Sequence, residues 1–215
     1  MHDLIFDDRQ HAGRLLAQTI DEMKLIDPVV LAIPRGGVVV GYEIAKRIKC
    51  PLDVIIPRKV GAPFEPELAV GAVTEDGTLY VNERICNIYG ISKSYLQNES
   101  QIQIREIKRR AELYRKGAKP ISIAGKTVIL VDDGIATGAT MRAAIMSVKK
   151  YSPRSIIVAV PVGAKETVDD LKKEVDVVAL HAPEDMSAVG EFYRNFEQTS
   201  DEEVILLLGK SKHKG

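Results

Sequence analysis

The chain lacks most features that would tie it to a membrane, a nucleic acid or an oxidising compartment. Its 215 residues contain no apolar run of transmembrane length, and no signal-peptide pattern stands at their start. Neither a membrane-spanning nor a secreted protein is therefore expected. Lysine plus arginine number 30, and aspartate plus glutamate also number 30. A formal net charge of zero leaves no surplus of cations for a phosphodiester backbone, which argues against a nucleic-acid partner. Cysteine is nearly absent: Cys50 and Cys86 stand far apart, with no CxxC. They read as free thiols in a reducing compartment, so the expected location is cytoplasmic. Internal repeats and low-complexity tracts are missing too. The rest is ordinary globular composition at a length that suits one α/β domain over residues 1–215.

One stretch stands out, VILVDDGIATGAT at Val128–Thr140. Val128 to Val131 is an aliphatic run rich in β-branched residues, as in a strand buried on both faces of a parallel sheet. Asp132 and Asp133 follow. Gly134, Ile135, Ala136, Thr137, Gly138, Ala139 and Thr140 then form a loop of mostly small residues. Beyond it Met141, Ala144, Ile145 and Val148 fall at helical spacing. Small residues let backbone approach a ligand closely. The free amides and dipole of a helix start attract an anion, and the Thr137 and Thr140 hydroxyls can add donors. Such a loop suits a phosphate. Asp132 and Asp133 would repel it, so they should face hydroxyls or a magnesium ion. A phosphate, a vicinal diol and a nearby metal together describe a phosphorylated ribose. An ordinary strand-to-helix turn with an acidic cap would account for Asp-Asp-Gly alone, but not for the whole stretch.

The flanking sequence repeats the pattern. Asp7 or Asp8 can cap a helix to about Ile26, with Leu15, Leu16, Thr19, Ile20 and Met23 inside. A strand at Val29–Ile33 leads to Pro34-Arg35-Gly36-Gly37, then a helix to about Ile48. Gly36 and Gly37 can expose amides to an anion, and Arg35 can grip a phosphate bidentately. A strand at Asp53–Ile56 runs into Arg58 and Lys59, which read either as functional cations or as a solvated basic turn. Glu67 to Val81 reads as a hairpin turning at Asp76-Gly77. Its TEDGTLY resembles the DxDGTL signature of haloacid dehalogenase phosphatases. The nucleophile position there holds Thr74, so that reading is rejected.

Asn82 can cap a short helix ending at Gly90. Ser92 to Lys116 reads as a long charged helix closed by Gly117, with Ile104, Ile107, Ala111 and Tyr114 as its apolar stripe. Its interleaved Glu99, Glu106 and Glu112 point to intrahelical ion pairs rather than a nucleic-acid face. Then come a strand at Ser155–Val160, a helix at Lys165–Lys173 and a strand at Val175–Leu180. Strands alternating with helices predict an α/β fold: a doubly wound, mostly parallel sheet with helices on both faces. Ligands then bind at the carboxyl ends of the strands, where both glycine loops and His181 fall. His181 reads as a satisfied loop histidine. Ser200 and Glu203 form a capping box for a last helix through Leu208, and the basic tail from Lys210 should fray.

VILVDDGIATGAT resembles the binding motif of type I phosphoribosyltransferases for 5-phosphoribosyl 1-pyrophosphate (PRPP), over strand, acids, loop and helix start. The resemblance implies that fold plus a small hood at about 181–209. It implies a mobile segment at about 58–81 and a helical insertion at about 82–117. Asp132 and Asp133 would contact the ribose hydroxyls and, directly or indirectly, magnesium. The loop from Ala136 to Thr140 would hold the 5-phosphate, with Gly134 also in the PRPP-binding set. PRGG takes the place of the family's pyrophosphate loop, and Lys59 would close over the site. Ile135, Tyr193 and Phe196 would contact the acceptor base, although those rings can equally pack the hood onto the core. Asp132, Asp133, Arg35 and Lys59 would carry catalysis. A homodimer using Mg2+ and acting on PRPP and a small-molecule base is implied. Hypoxanthine-guanine-type members carry an aspartate where this chain has Ala136, which weakens a 6-oxopurine acceptor. Two rivals remain: a non-enzymatic sensor of PRPP or a nucleotide on the same fold, and simple hydrolysis of such a ligand.

Overall fold

A computed structural model describes residues 5–212. Asp8 caps α1 (Arg9–Glu22) by accepting from the His11 amide at 2.7 Å. The helix stops at Met23, because Lys24 turns into the left-handed region, and so falls short of the expected Ile26. Its buried face runs through Ala12, Leu16, Ala17 and Ile20, while Thr19 and Met23 lie outside. β1 (Pro28–Ala32), α2 (Gly36–Ile48) and β2 (Leu52–Val54) follow. After an antiparallel insert come β6 (Thr127–Val131), α5 (Ala139–Lys149), β7 (Ser155–Val162), α6 (Lys165–Leu171) and β8 (Asp176–His181).

The five main strands pair in the order β2-β1-β6-β7-β8, parallel at every join. The register sets Leu31 opposite Leu130 and Leu130 opposite Val158. Alternate residues serve opposite faces, as the two-residue period of a strand requires. Val30, Ala32, Ile129, Val131, Ile157 and Ala159 share a core with α1 and α2. Val29, Leu31, Val128, Leu130 and Val158 share one with Met141, Ala144, Ile145 and Val148 of α5. The chain leaves β1 toward β2 and leaves β6 toward β7, so the strand order reverses between β1 and β6. A crevice opens at such a switch point, outside the carboxyl ends of the strands.

The insert holds a strand that the sequence pattern did not announce. β3 (Arg58–Gly61) pairs antiparallel with β4 (Ala69–Val73), and β4 pairs with β5 (Leu79–Val81). Arg58 and Lys59 thus lie in a strand, not in a solvated turn. Ala72 packs on Ala139 and Ala143, which seats this small sheet against the start of α5. The expected hairpin turn is present. Asp76 accepts from the Thr74 hydroxyl at 2.5 Å, the Thr78 hydroxyl at 2.8 Å and Ser147 at 3.2 Å. Burial pushes its carboxyl up, yet those bonds and Lys150 outweigh it and hold the pKa down to about 2. Asp76 is a turn staple.

Asn82 and Ser92 cap α3 (Glu83–Tyr89) and α4 (Lys93–Arg115) through bonds to the amides of Ile85 and Tyr95. Glu106 bonds Arg109 and Arg110 on α4, the pairing expected of a solvated helical face. After β8 a single 3-10 turn at Val189–Phe192 precedes α7 (Asp201–Lys212). The Ser200 hydroxyl accepts from the Glu203 amide at 3.1 Å, which is one half of the expected capping box. Helix continues past Leu208 through Lys212. Residues 213–215 lie outside the described residues.

Candidate functional site

The crevice between β1 and β6 is built by two strand-to-helix loops. On the β6 side, Ile135 bridges to Gly163 at the end of β7. Its amide donates to Val162 at 3.0 Å, and its carbonyl accepts from Ala164 at 2.8 Å. The Thr167 hydroxyl donates to the Ala136 carbonyl at 2.7 Å. The loop is therefore pinned from behind. In front, the amides of residues 136–140 have no hydrogen-bond partner among the described residues. Thr137 is exposed, and Ala136 and Thr140 are half-buried. Gly138 caps α5 at φ 74°, a left-handed conformation that side chains resist, and no side chain caps the helix. A run of free amides at a helix start is the arrangement that holds phosphate or sulfate groups.

On the β1 side the Pro34–Arg35 peptide is cis. Gly37 lets α2 lie against β6: a Cβ there would stand 2.8 Å from the Val131 carbonyl oxygen and 2.9 Å from the Asp132 Cα. The glycine thus has a packing duty beside any role toward an anion. Arg35 has turned toward Asp201 at the start of α7, 3.8 Å away. Lys59 bonds Glu67 at 2.9 Å. It lines a separate cavity of about 550 Å³ with Arg58, Tyr95 and Gln103, which no residue of the 132–140 loop shares. Asp132, Asp133 and residues 134–140 are thus brought together with Gly36 and Gly37, and Lys59 stands apart from them.

The acidic pair is unequal. Asp132 accepts from the Asp133 amide at 2.8 Å. Desolvation, with the neighbouring Asp133 charge second, pushes the Asp132 carboxyl well above the usual range. Asp133 has a counterion that sequence reading missed. Arg9 Nε donates to its Oδ2 at 2.6 Å, and both side chains are nearly buried, at 12% and 16% exposure. The same guanidinium donates to the Glu197 carbonyl at 2.7 Å and covers the Phe196 ring at 3.8 Å. One signal was available: a cation in a helix's first turn opposes the helix dipole, so Arg9 needs another reason to be there. Tyr193 is 6% exposed and packs on Phe6, and its hydroxyl donates to the Asp133 carbonyl at 2.6 Å. Burial, with the Asp133 charge behind it, pushes that phenol far up. Ile135 is buried beneath the loop. In this state the Tyr193 ring packs the C-terminal segment onto the core and Arg9 covers one face of Phe196.

His181 departs from expectation: its Nε2 is buried without a partner among the described residues. Those residues also contain no cluster of three or more His, Cys, Asp or Glu side chains able to hold a metal.

The raised Asp132 has a consequence for stability. The folded chain holds this proton more tightly than the unfolded one, which favours folding below about pH 3.9. That benefit is lost as pH rises through the folded pKa, so at neutral pH the ionised carboxylate is a cost. Asp132→Asn is expected to raise Tm at pH 7, with the gain shrinking toward pH 4. Thermal melts across that range check it, and a variant melting below wild type at pH 7 would contradict it.

The sequence model of the phosphoribosyl transferase domain matches residues 5–194, and the chain belongs to that family. It is 42% identical over 208 residues to the provisionally named phosphoribosyl transferase MT0597 of Mycobacterium tuberculosis. That match covers 96% of this chain and 47% of the mycobacterial protein, so the chain spans about half the length of that relative. The crystal structure of TT1426 from Thermus thermophilus superposes at a TM-score of 0.82 with 45% identity, over 96% of this chain and 98% of that one. A purine phosphoribosyltransferase from Pyrococcus horikoshii shares the fold at a TM-score of 0.50 and 17% identity, over 89% and 92% of the two chains. The doubly wound parallel sheet with a small antiparallel insert is the type I phosphoribosyltransferase fold. No helix among the described residues is long and apolar enough to cross a membrane.

Proposed function

We propose that the chain binds PRPP at the β1–β6 crevice and transfers its phosphoribosyl group to a nitrogenous base, releasing pyrophosphate. The carrying observation is the set of partnerless amides at residues 136–140, beside the half-buried Asp132. The amides, with the Thr137 and Thr140 hydroxyls, hold the 5-phosphate. Asp132 and Asp133 accept from the ribose hydroxyls, next to the carbon where positive charge develops. Gly36, Gly37 and Arg35 receive the pyrophosphate, with Arg35 turning from Asp201. The acceptor nitrogen's lone pair forms the new bond to C1 as the C1–oxygen bond breaks. Pyrophosphate leaves with that electron pair, and the base gives its proton to solvent. Closure of the 58–81 segment would bring Lys59 onto the leaving group and exclude water.

Magnesium fits as a partner of the pyrophosphate rather than a resident of a protein cage. Asp133 Oδ2 is taken by Arg9 and no three-ligand cluster is at hand among the described residues, which suits an ion that keeps its waters and substrate oxygens. Bound with PRPP beside Asp132, it would supply neutralisation of leaving-group charge. Ala136 argues against a 6-oxopurine acceptor. Cys50 and Cys86 are both free thiols, which fits a reducing, cytoplasmic location. A homodimer is expected of such a protein. A second reading, a sensor of PRPP without turnover, draws support from Lys59 resting on Glu67 away from the crevice.

A screen of nucleobases and related heterocycles with PRPP and Mg2+, read as pyrophosphate release, separates the two. Release that depends on one base supports transfer. Tight PRPP binding with no release for any base supports the sensor, and release without a base supports hydrolysis.

A further inference from the structure

The most engaged side chain at the crevice is Arg9, which the proposed reaction leaves unused. Its guanidinium meets three groups at once: Asp133 Oδ2 at 2.6 Å, the Glu197 carbonyl at 2.7 Å and the face of Phe196 at 3.8 Å. The last two belong to the segment proposed as the hood. Tyr193 of the same segment donates to the Asp133 carbonyl. One acid thus carries the hood from both ends, by its side chain through Arg9 and by its backbone through Tyr193.

From this geometry we infer that Arg9 is a positioning residue for PRPP, acting through Asp133; the inference rests on the proposed function. Two adjacent carboxylates facing a polyanionic ligand repel it and each other. Arg9 removes one of those charges from the ligand's view without touching the ligand. It also fixes the Asp133 rotamer, because Oδ2 is held between the guanidinium and Gly36, where a Cβ would overlap it. That leaves Oδ1 as the oxygen to meet a ribose hydroxyl. The bond to Glu197 and the ring beneath Arg9 make the same cation the fastening of the hood.

Two variants separate these duties. Arg9→Gln loses the charge. Arg9→Lys keeps a charge that can reach Asp133, but an ammonium has no planar fork to bond Glu197 as well and to lie flat on Phe196. Calorimetry with PRPP and Mg2+ is expected to show Arg9→Gln weakened about tenfold, the scale of a lost charge-assisted bond. Arg9→Lys is expected to stay within about threefold of wild type, even where its thermal melt is lowered by a loosened hood. Wild-type affinity or better in Arg9→Gln would overturn the inference. So would Arg9→Lys falling as far as Arg9→Gln, since the effect would then run through the hood. A wild-type chain that does not bind PRPP overturns the phosphoribosyl reading itself, and this inference with it.

Discussion

Changing Asp132 and Asp133 together to asparagine is expected to abolish PRPP binding in calorimetry while the chain stays folded. The reason is chemical rather than steric. Each carboxylate accepts charge-assisted hydrogen bonds, worth about 1.5–3 kcal/mol apiece to a bound hydroxyl. Losing both removes roughly 3–6 kcal/mol, or about two to four decades in Kd. Asparagine keeps the volume but turns half of each acceptor surface into donors. The fold should tolerate the change. An asparagine in place of Asp132 would still accept from the next residue's amide through its side-chain oxygen, and the repulsion between neighbouring charges disappears. Arg9 loses its counterion yet keeps Glu197 and Phe196. A double variant that melts cooperatively and binds PRPP as wild type does would refute the assignment of the acidic pair.

The second large effect lies away from the crevice. Asp53 is 6% exposed on the edge strand β2. It accepts from the Val54 amide at 2.8 Å, the Ile121 amide at 3.0 Å and Arg115 Nε at 3.1 Å. Arg115 also donates to the Val54 carbonyl at 2.8 Å and to Glu75 at 3.0 Å. Two ion pairs of Arg115, to Asp53 and Glu75, therefore join the sheet edge, the end of α4, the hairpin turn and the segment leading into β6. Arg115→Met leaves the Asp53 charge buried without its partner, a loss of about 3–5 kcal/mol. At this chain length that lowers Tm by roughly 6–20 °C. Adding Asp53→Asn should recover part of the loss, because the stranded charge is gone. An Arg115→Met protein melting with wild type would show that the pair is not structural.

These two cases mark what the sequence could and could not reveal. The strand, acids, loop and helix of residues 127–149 were legible because each signal is local: a buried aliphatic run, small residues, then a change of period. The alternation of strands and helices gave the parallel sheet for the same reason. β3 was not legible, because four residues beginning Arg-Lys become a strand only once β4 lies beside them. Arg9 and Asp133 are 124 positions apart, and Arg115 and Asp53 are 62 apart. No local pattern announces such pairs. Glycine was half legible: Gly36 and Gly37 pointed to amides open to an anion, but that α2 packs against Asp132 and Asp133 there needed the fold. Lys59 is singled out through the family resemblance rather than a local pattern, and in this structure it bonds Glu67.

If one loop grips the phosphate, its backbone amides report that directly. In a 15N-labelled protein titrated with ribose 5-phosphate, the amide resonances of residues 136–140 should move downfield and saturate together. Weaker shifts should appear at Asp132 and Asp133. If those five amides stay put while shifts gather elsewhere, the loop is not the phosphate site and the reading built on it is wrong.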